Sequence, residues 1–474
     1  MNVLFIYPVP EARYQILRFQ QGIGSIAAVL KQAGHRVELL IVSALDTDKV
    51  DETVRRFQPG LVAMSLTSGF FPLGCALARH VAATHKLPVI LGGIHPTLCP
   101  EESVSAEGVT AICVGEGEYP MLELCEALEK NRDPAGIANL WFKRGDQVIR
   151  NPIRPLIENL DSLPFPDRDI FHFDQMLKVS AEAEFMGSRG CPFPCTYCAN
   201  HALQELYRGK GTYVRYRSVG NLLAEVEHVV RAYPNVGFLG FHDDTLTLNT
   251  RWFNEFTDMY PAHVRLPFWC NATASSINED VAARLKRAGC YEVRIGVESG
   301  NDEIRTKVLQ KNVSREQITR AFGVLKEAGI ARYSFNMVGL PFETPATVED
   351  SIALNQEIQP ESVFCSVFFP YPGTRARALC LEKGWLTETT VGSYFSGEYA
   401  VKQPTISAAQ VRYYSDIFAA LVRHRRWSPV IRLLASIPVS RTKTLWNALR
   451  RIRAKGEQLV IAVRRPFQKR ASSA

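Results

Sequence analysis

Three cysteines that fall within eight residues, Cys191, Cys195 and Cys198, are the strongest chemical signal in the chain, in the stretch GSRGCPFPCTYCAN at 187–200. Their spacing is C-x3-C-x2-C. A structural zinc site takes four ligands, usually from two CxxC-like pairs. No second pair follows here: the next cysteines are Cys270 and Cys290, each in a separate predicted unit. A disulfide does not suit a reducing compartment. Pro192, Pro194 and the flanking glycines predict a loop rather than a packed element. An iron–sulfur cluster fits this pattern. Thiolates hold the irons of a [4Fe–4S] cube, so three thiolates leave one iron open to a substrate or cofactor. Tyr197 offers a flat face beside that iron.

The elements that must position the loop read as β-α units. Over 181–385, AEFMGSR, GFLGFHDD, PFWCNAT, CYEVRIGVESG, RYSFNMVGL and SVFCSVFFPYPGT are strands, each followed or preceded by a helical segment. Six such units predict a partial (β/α)6 barrel, whose chemistry sits at the strand C-termini. Over 1–135, NVLFIYP, RVELLIVS, LVAMSLTS, PVILGGI and AICVGEG alternate with helices and predict an α/β, doubly wound (Rossmann-like) parallel sheet. Ligands of such sheets lie beyond the strand carboxyl ends. Between the two, 136–180 reads as a linker carrying a small hairpin that turns at Gly145-Asp146. Residues 386–474 read as a helical, basic C-terminal region.

CPFPCTYC resembles the CxxxCxφC hallmark (φ aromatic) of the radical S-adenosylmethionine (SAM) superfamily. The resemblance implies that the open iron chelates the SAM amino and carboxylate groups. One electron then cleaves SAM to a 5′-deoxyadenosyl radical that abstracts a substrate hydrogen. FHDDTLTLN is similar to the segment that approaches the SAM amino group, with Asp243 or Asp244 as the acid. IGVESG resembles the strand-four motif and implies that Glu298 hydrogen-bonds SAM. MVGLPFET and PYPGT resemble the ends of strands five and six. Strand three departs, because Thr273 stands in CNATA where related enzymes often carry Arg nearby.

The sheet upstream resembles a cobalamin-binding domain, which places the chain with the cobalamin-dependent radical SAM enzymes. The matching segments are SLTS (Ser65, Thr67), LGGIHPT (Gly92, Gly93, His95) and VGEGE (Gly115, Glu116, Gly117). Their glycines would admit the corrin and its nucleotide tail, and Ser65 and Thr67 would hydrogen-bond that tail. The DxHxxG of the methionine-synthase type is absent from YPVPEARYQILRFQQG. The resemblance therefore implies base-off cobalamin with no protein His ligand, with Arg13, Tyr14 or Gln15 facing the lower side. It implies methylation of an unactivated carbon, with radical cyclisation or rearrangement as the alternative. A non-catalytic cobalamin or redox sensor is the reading of another class. Methylthiotransferases of transfer RNA are set aside, because Cys75, Cys99, Cys113 and Cys125 form no cluster pattern. No cysteine follows Cys380, so an auxiliary C-terminal cluster is not expected.

The bulk properties agree with a globular enzyme of two or three domains. Hydrophobic residues make up 46% and charged residues 22% of the 474. The N-terminus lacks a signal-peptide pattern, and no apolar run reaches a membrane span, so a cytoplasmic enzyme is expected. The net charge of +7 is uneven: residues 421–474 hold 14 Lys and Arg against the single acid Glu457. Such a basic amphipathic segment suits peripheral contact with an anionic membrane face and a lipid-like substrate. No aromatic–basic stacking platform accompanies it, which argues against nucleic acid. Flavodoxin or ferredoxin is the expected class of electron donor.

Overall fold

A computed structural model describes residues 1–9, 18–387 and 398–436. The first sheet has the strands β1 (Asn2–Pro8), β2 (Arg36–Val42), β3 (Leu61–Ser65), β4 (Val89–Gly92) and β5 (Ala111–Cys113), all parallel, in the order β2-β1-β3-β4-β5. The strands are near-continuous apolar runs because helices cover both faces. Val3, Phe5, Ala63, Ile90 and Cys113 pack in one core with the helices Gln21–Gln32 and Glu118–Glu129. Leu4, Ile6, Val62, Met64 and Leu91 pack in the other with Thr47–Phe57 and Phe71–His85.

The expected hairpin forms as β6 (Leu140–Arg144) and β7 (Gln147–Arg150), turning at Gly145-Asp146. It adds to the sheet, with β6 antiparallel to β5. Residues 140–150 are thus part of the first layer.

The second sheet has six parallel strands in simple succession: β8 (Glu182–Phe185), β11 (Phe238–Phe241), β12 (Phe268–Ala272), β13 (Cys290–Glu298), β14 (Ala331–Val338) and β15 (Ser362–Val367). This is the six-stranded partial barrel expected from the sequence. Burial alternates along β14. Ser334 and Asn336 face the outer helices and hydrogen-bond Asn355, while Tyr333, Phe335 and Met337 face the bore half-exposed. A two-residue ladder, β9 (Ser188–Arg189) with β10 (Arg215–Tyr216), pairs Arg189 directly opposite Arg215 beside the cysteine loop.

Core packing joins the two sheets. Phe19, Phe171, Phe173 and Phe185 belong to one buried cluster. The Arg168 guanidinium lies 4.6 Å from the Phe19 ring and 4.7 Å from the Phe185 ring, and pairs with buried Glu225 at 2.6 Å. The helix Ala408–Arg423 opens with a Ser407/Gln410 capping box and covers β14 and β15 through Val411, Ile417, Phe418 and Leu421. Among the described residues no helix is long and apolar enough to cross a membrane. Arg13, Tyr14 and Gln15, and the basic segment beyond Ser436, lie outside the described residues.

Candidate functional site

The cysteine loop leaves β8 and ends at the helix Ala199–Leu206. Thr196 clamps it across the barrel mouth. Its N–H donates to the Leu309 carbonyl at 2.9 Å, its hydroxyl to the Val308 carbonyl at 2.8 Å, and its own carbonyl accepts from Ala376 N–H at 2.9 Å. Gly190 has φ +91°, and a Cβ there would lie 2.5 Å from the Tyr213 carbonyl oxygen. The loop therefore turns sharply just ahead of Cys191.

Cys191, Cys195 and Cys198 are half-buried free thiols, near enough that the other two raise the proton affinity of Cys191. Burial pushes Cys191 up to about 12 and Cys198 up to about 11. These thiols need a bound cation to become thiolates, as ligands of a metal cluster do. The donor set thus fits a three-thiolate cluster.

The two acids after β11 have separate roles. Asp243 is buried; its carboxylate accepts from Gly187 N–H at 3.1 Å and from the Ser188 hydroxyl, and so fixes the lead-in to the loop. Asp244 is exposed, accepts from the Asn200 amide at 3.1 Å, and raises the pKa of Cys191 and Cys198. Of the two, it is the one that faces the cluster loop.

Glu298 ends β13 with φ +65°, where the register with β14 breaks between Gly296 and Glu298. This strained, bulged backbone turns its carboxylate back toward the loop. Lys311 donates to it at 3.1 Å. A Cβ at Gly296 would lie 2.2 Å from Glu298 Oε1 and 2.5 Å from Lys311 Nζ, so a side chain there would displace the pair from its present position. Burial and the Glu298 carboxylate hold the Tyr197 phenol well above its ordinary pKa. Glu343, in the strand-five turn, is fully buried and pushed up to about 8, and accepts from Gly339 and Leu340 N–H. Thr273 lies at the end of β12 and starts a 3-10 turn.

A second site opens beyond the carboxyl ends of the first sheet. It is a cavity of about 340 Å³, lined by Ser65, Gly92, Gly93, Gly115, Glu116 and Gly117. Phe5, Ala63 and Ile90 form its floor, and Met186, Ser188 and Arg189 bring the barrel to its wall. Gly93 has φ +91°, and a Cβ there would lie 2.7 Å from Leu66 N. Glycine is therefore required at this turn, where a side chain would meet Ser65 and the Leu66 backbone. Thr67 and His95 do not line the cavity. Thr67 is exposed ahead of a 3-10 turn, and His95 is buried against Phe71, with ring centroids 4.0 Å apart.

Arg189 joins the two sites. It donates to Glu116 at 2.8 Å and to buried Glu118 at 2.7 Å, while Arg215 donates to Glu116 at 3.0 Å. The three contacts with Arg189, Arg215 and Ile157 N–H hold the Glu116 carboxyl below its ordinary pKa. The Tyr207 hydroxyl accepts from Glu116 N–H at 2.8 Å, and the Thr97 hydroxyl accepts from Gly115 N–H at 3.0 Å. Sequence reading missed Arg189, Arg215, Tyr207, Thr97 and Lys311. Arg189 stands two residues before Cys191, but its acid partners lie about 70 positions upstream, so no local signal marked them.

A partial barrel with a three-cysteine mouth, behind a sheet with a glycine-lined cofactor cavity, defines a two-cofactor enzyme. Residues 186–354 match the radical SAM superfamily and residues 19–125 match the B12 binding domain. The chain thus joins a radical SAM domain to a B12 binding domain, and its cofactors are a [4Fe–4S] cluster, SAM and cobalamin. It is similar to an uncharacterized methyltransferase of Pyrococcus horikoshii, with 28% identity over 82% of this chain and 87% of that one. It is also similar to the anaerobic magnesium-protoporphyrin IX monomethyl ester cyclase of Rubrivivax gelatinosus, with 25% identity over 78% and 68%. Its fold is like that of the radical SAM methyltransferase TsrM from Kitasatospora setae, solved with cobalamin and a [4Fe–4S] cluster. The TM-score is 0.68 at 18% identity, over 81% of this chain and 75% of that one.

Proposed function

We propose that the protein methylates an unactivated carbon of a small or lipid-like substrate. The observation that carries this reading is the shared wall: Ser188 and Arg189 line the cavity, and Cys191 lies two residues beyond Arg189. Bound together, the cofactors supply a 5′-deoxyadenosyl radical and a transferable methyl group, and the protein supplies orientation and exclusion of water. Cys191, Cys195 and Cys198 hold the cluster. Asp244, with Asn200 behind it, receives the SAM amino group. Glu298, held by Lys311 and Tyr197, takes the second polar contact to SAM. Ser65, Gly92, Gly93, Gly115 and Gly117 admit the cobalamin tail, while Glu116 fixes their turn to the barrel.

The bore supports a substrate with an apolar or flat body. Tyr333, Phe335 and Phe364 line it, and Arg294 stacks at 3.5 Å over Trp269. A small one-electron carrier such as flavodoxin or ferredoxin serves as donor. The basic segment past Ser436 would dock such a chain on an anionic membrane face. Ring formation is the second reading, favoured by the similarity to the cyclase.

The test is anaerobic turnover of the reconstituted protein with SAM, cobalamin and a reductant. Methyl transfer gives S-adenosylhomocysteine together with 5′-deoxyadenosine. 5′-Deoxyadenosine alone would favour cyclisation or rearrangement, and no SAM cleavage would point to a sensor.

A further inference from the structure

The contiguous stretch HPTLCPEE at 95–102 places His95, Cys99 and Glu102 at i, i+4 and i+7. This is the spacing of one helical face. The chain here is two short helices, Ile94–Leu98 and Pro100–Ser105, joined at Cys99. A ring nitrogen of His95, Cys99 Sγ and a Glu102 oxygen all lie within 4.8 Å of one another.

The imidazole is the informative member. His95 is 2% exposed, and its Nδ1 is engaged by the Ser68 hydroxyl at 3.1 Å. Its Nε2 is buried and has no hydrogen-bond partner. A buried, unpartnered ring nitrogen is costly in a native core. A hydrogen bond at Nδ1 that leaves Nε2 toward a thiol and a carboxylate is how a metal-ligating histidine is oriented. Nε2 lies 3.5 Å from Glu102 Oε2. That exceeds a hydrogen bond, but it suits two ligands each about 2.0–2.1 Å from one tetrahedral centre.

Other clusters differ in their partners. Asp51 meets His80 at 2.7 Å and His85 at 2.6 Å, both on one oxygen, which are ordinary charge-assisted hydrogen bonds. His242 Nε2 also lacks a hydrogen-bond partner, but its side chain is 29% exposed, its carboxylate neighbour Glu184 at 3.1 Å is already matched by Arg18, and Glu182 takes the Trp269 indole N–H.

The geometry points to a divalent-metal site at His95, Cys99 and Glu102, of the zinc class, separate from the cysteine loop and the glycine-lined cavity. One nitrogen, one sulfur and one oxygen suit zinc, with the fourth position left to water. The site would staple the two short helices behind the Gly92-Gly93 turn. Burial keeps His95 neutral, with its pKa lowered to about 4, and so available as a ligand; burial and the Glu102 charge push the Cys99 thiol up to about 11, so its thiolate would form only with a bound cation.

The test uses the full chain with its [4Fe–4S] cluster already loaded, so that Cys191, Cys195 and Cys198 cannot take zinc. After dialysis against a chelator, the protein is titrated with Zn2+ by calorimetry, and retained zinc is measured by mass spectrometry. One equivalent of zinc is expected. Cys99→Ser and Glu102→Gln should each weaken it at least about tenfold, with iron content unchanged. The Glu102 side chain is 51% exposed, so its substitution tests the site even if the serine variant does not fold. No tight zinc in the parent, or equal affinity in a folded variant and the parent, would overturn the assignment.

Discussion

The cysteine loop and the glycine-lined cavity solve the same problem, holding a large cofactor, in opposite ways. The loop concentrates its ligands in eight residues and takes its rigidity from outside, through the Thr196 bonds to Leu309, Val308 and Ala376. The cavity spreads its lining over the ends of β3, β4 and β5 and takes shape from absent side chains. One region binds by donors and the other by space. A donor site is broken by removing an atom, and a spatial site by adding one. Arg189 is where the two strategies meet, since it sits on the loop's approach and pairs with the cavity's acids.

The sharpest contrast is between two single substitutions. Cys198→Ala should reduce SAM cleavage to background while cobalamin is still retained, as product assays and absorbance would report. Gly93→Ala should do the reverse. Its added methyl would lie 2.7 Å from Leu66 N and 2.8 Å from Ser65 Oγ, at φ +91°. The left-handed backbone alone costs about 1–2 kcal/mol. Loss of most bound cobalamin with full iron content is the expected outcome.

Arg189→Met tests the junction. It leaves the 4%-exposed Glu118 carboxylate without its cation and Glu116 with Arg215 alone. Breaking a buried pair costs about 3–5 kcal/mol; with Arg189 still 27% exposed, about 2–3 kcal/mol is expected in urea unfolding. The pH dependence has a defined sign. The Glu116 pKa is lowered by folding, so its stabilisation is complete above the ordinary Glu value of about 4.3 and is lost as pH falls through the lower folded value. The acid limb of the stability curve should flatten in Arg189→Met. An unchanged limb would place the acid sensitivity elsewhere.

The smallest effect separates neighbouring acids. Asp244→Asn should raise the KM for SAM about tenfold, or about 1.4 kcal/mol, and leave the melting temperature in place. Asp243→Asn should lower the melting temperature, because its oxygens accept from Gly187 N–H and the Ser188 hydroxyl. The opposite pattern would exchange their roles.

What could be read from the sequence follows the same division. The cysteine loop, both sheets and the Gly145-Asp146 hairpin were legible because each is written in a few consecutive residues. Six of the eight residues expected at the cobalamin site line the cavity, since glycine-rich strand ends carry their own signature. Thr67 and His95 share those turns, but the chain direction after Leu66 and Gly93 carries them off the lining. Asp243 and Asp244 could not be told apart, because what separates them is contact with residues about 44 to 56 positions away. Arg189, Arg215 and Tyr207 reach Glu116 across 73, 99 and 91 positions, and no local pattern encodes such partners.

Cofactor content in two variants tests the central claim most directly, that one chain holds two cofactors at two separable sites sharing a wall. The parent, Cys191→Ala/Cys195→Ala/Cys198→Ala and Gly93→Ala chains would be reconstituted anaerobically, then assayed for iron, sulfide and cobalamin. The parent should hold about four irons and one cobalamin. The cysteine variant should hold cobalamin without iron, and the glycine variant iron without cobalamin. Full iron in the cysteine variant, or full cobalamin in the glycine variant, would contradict two separable sites.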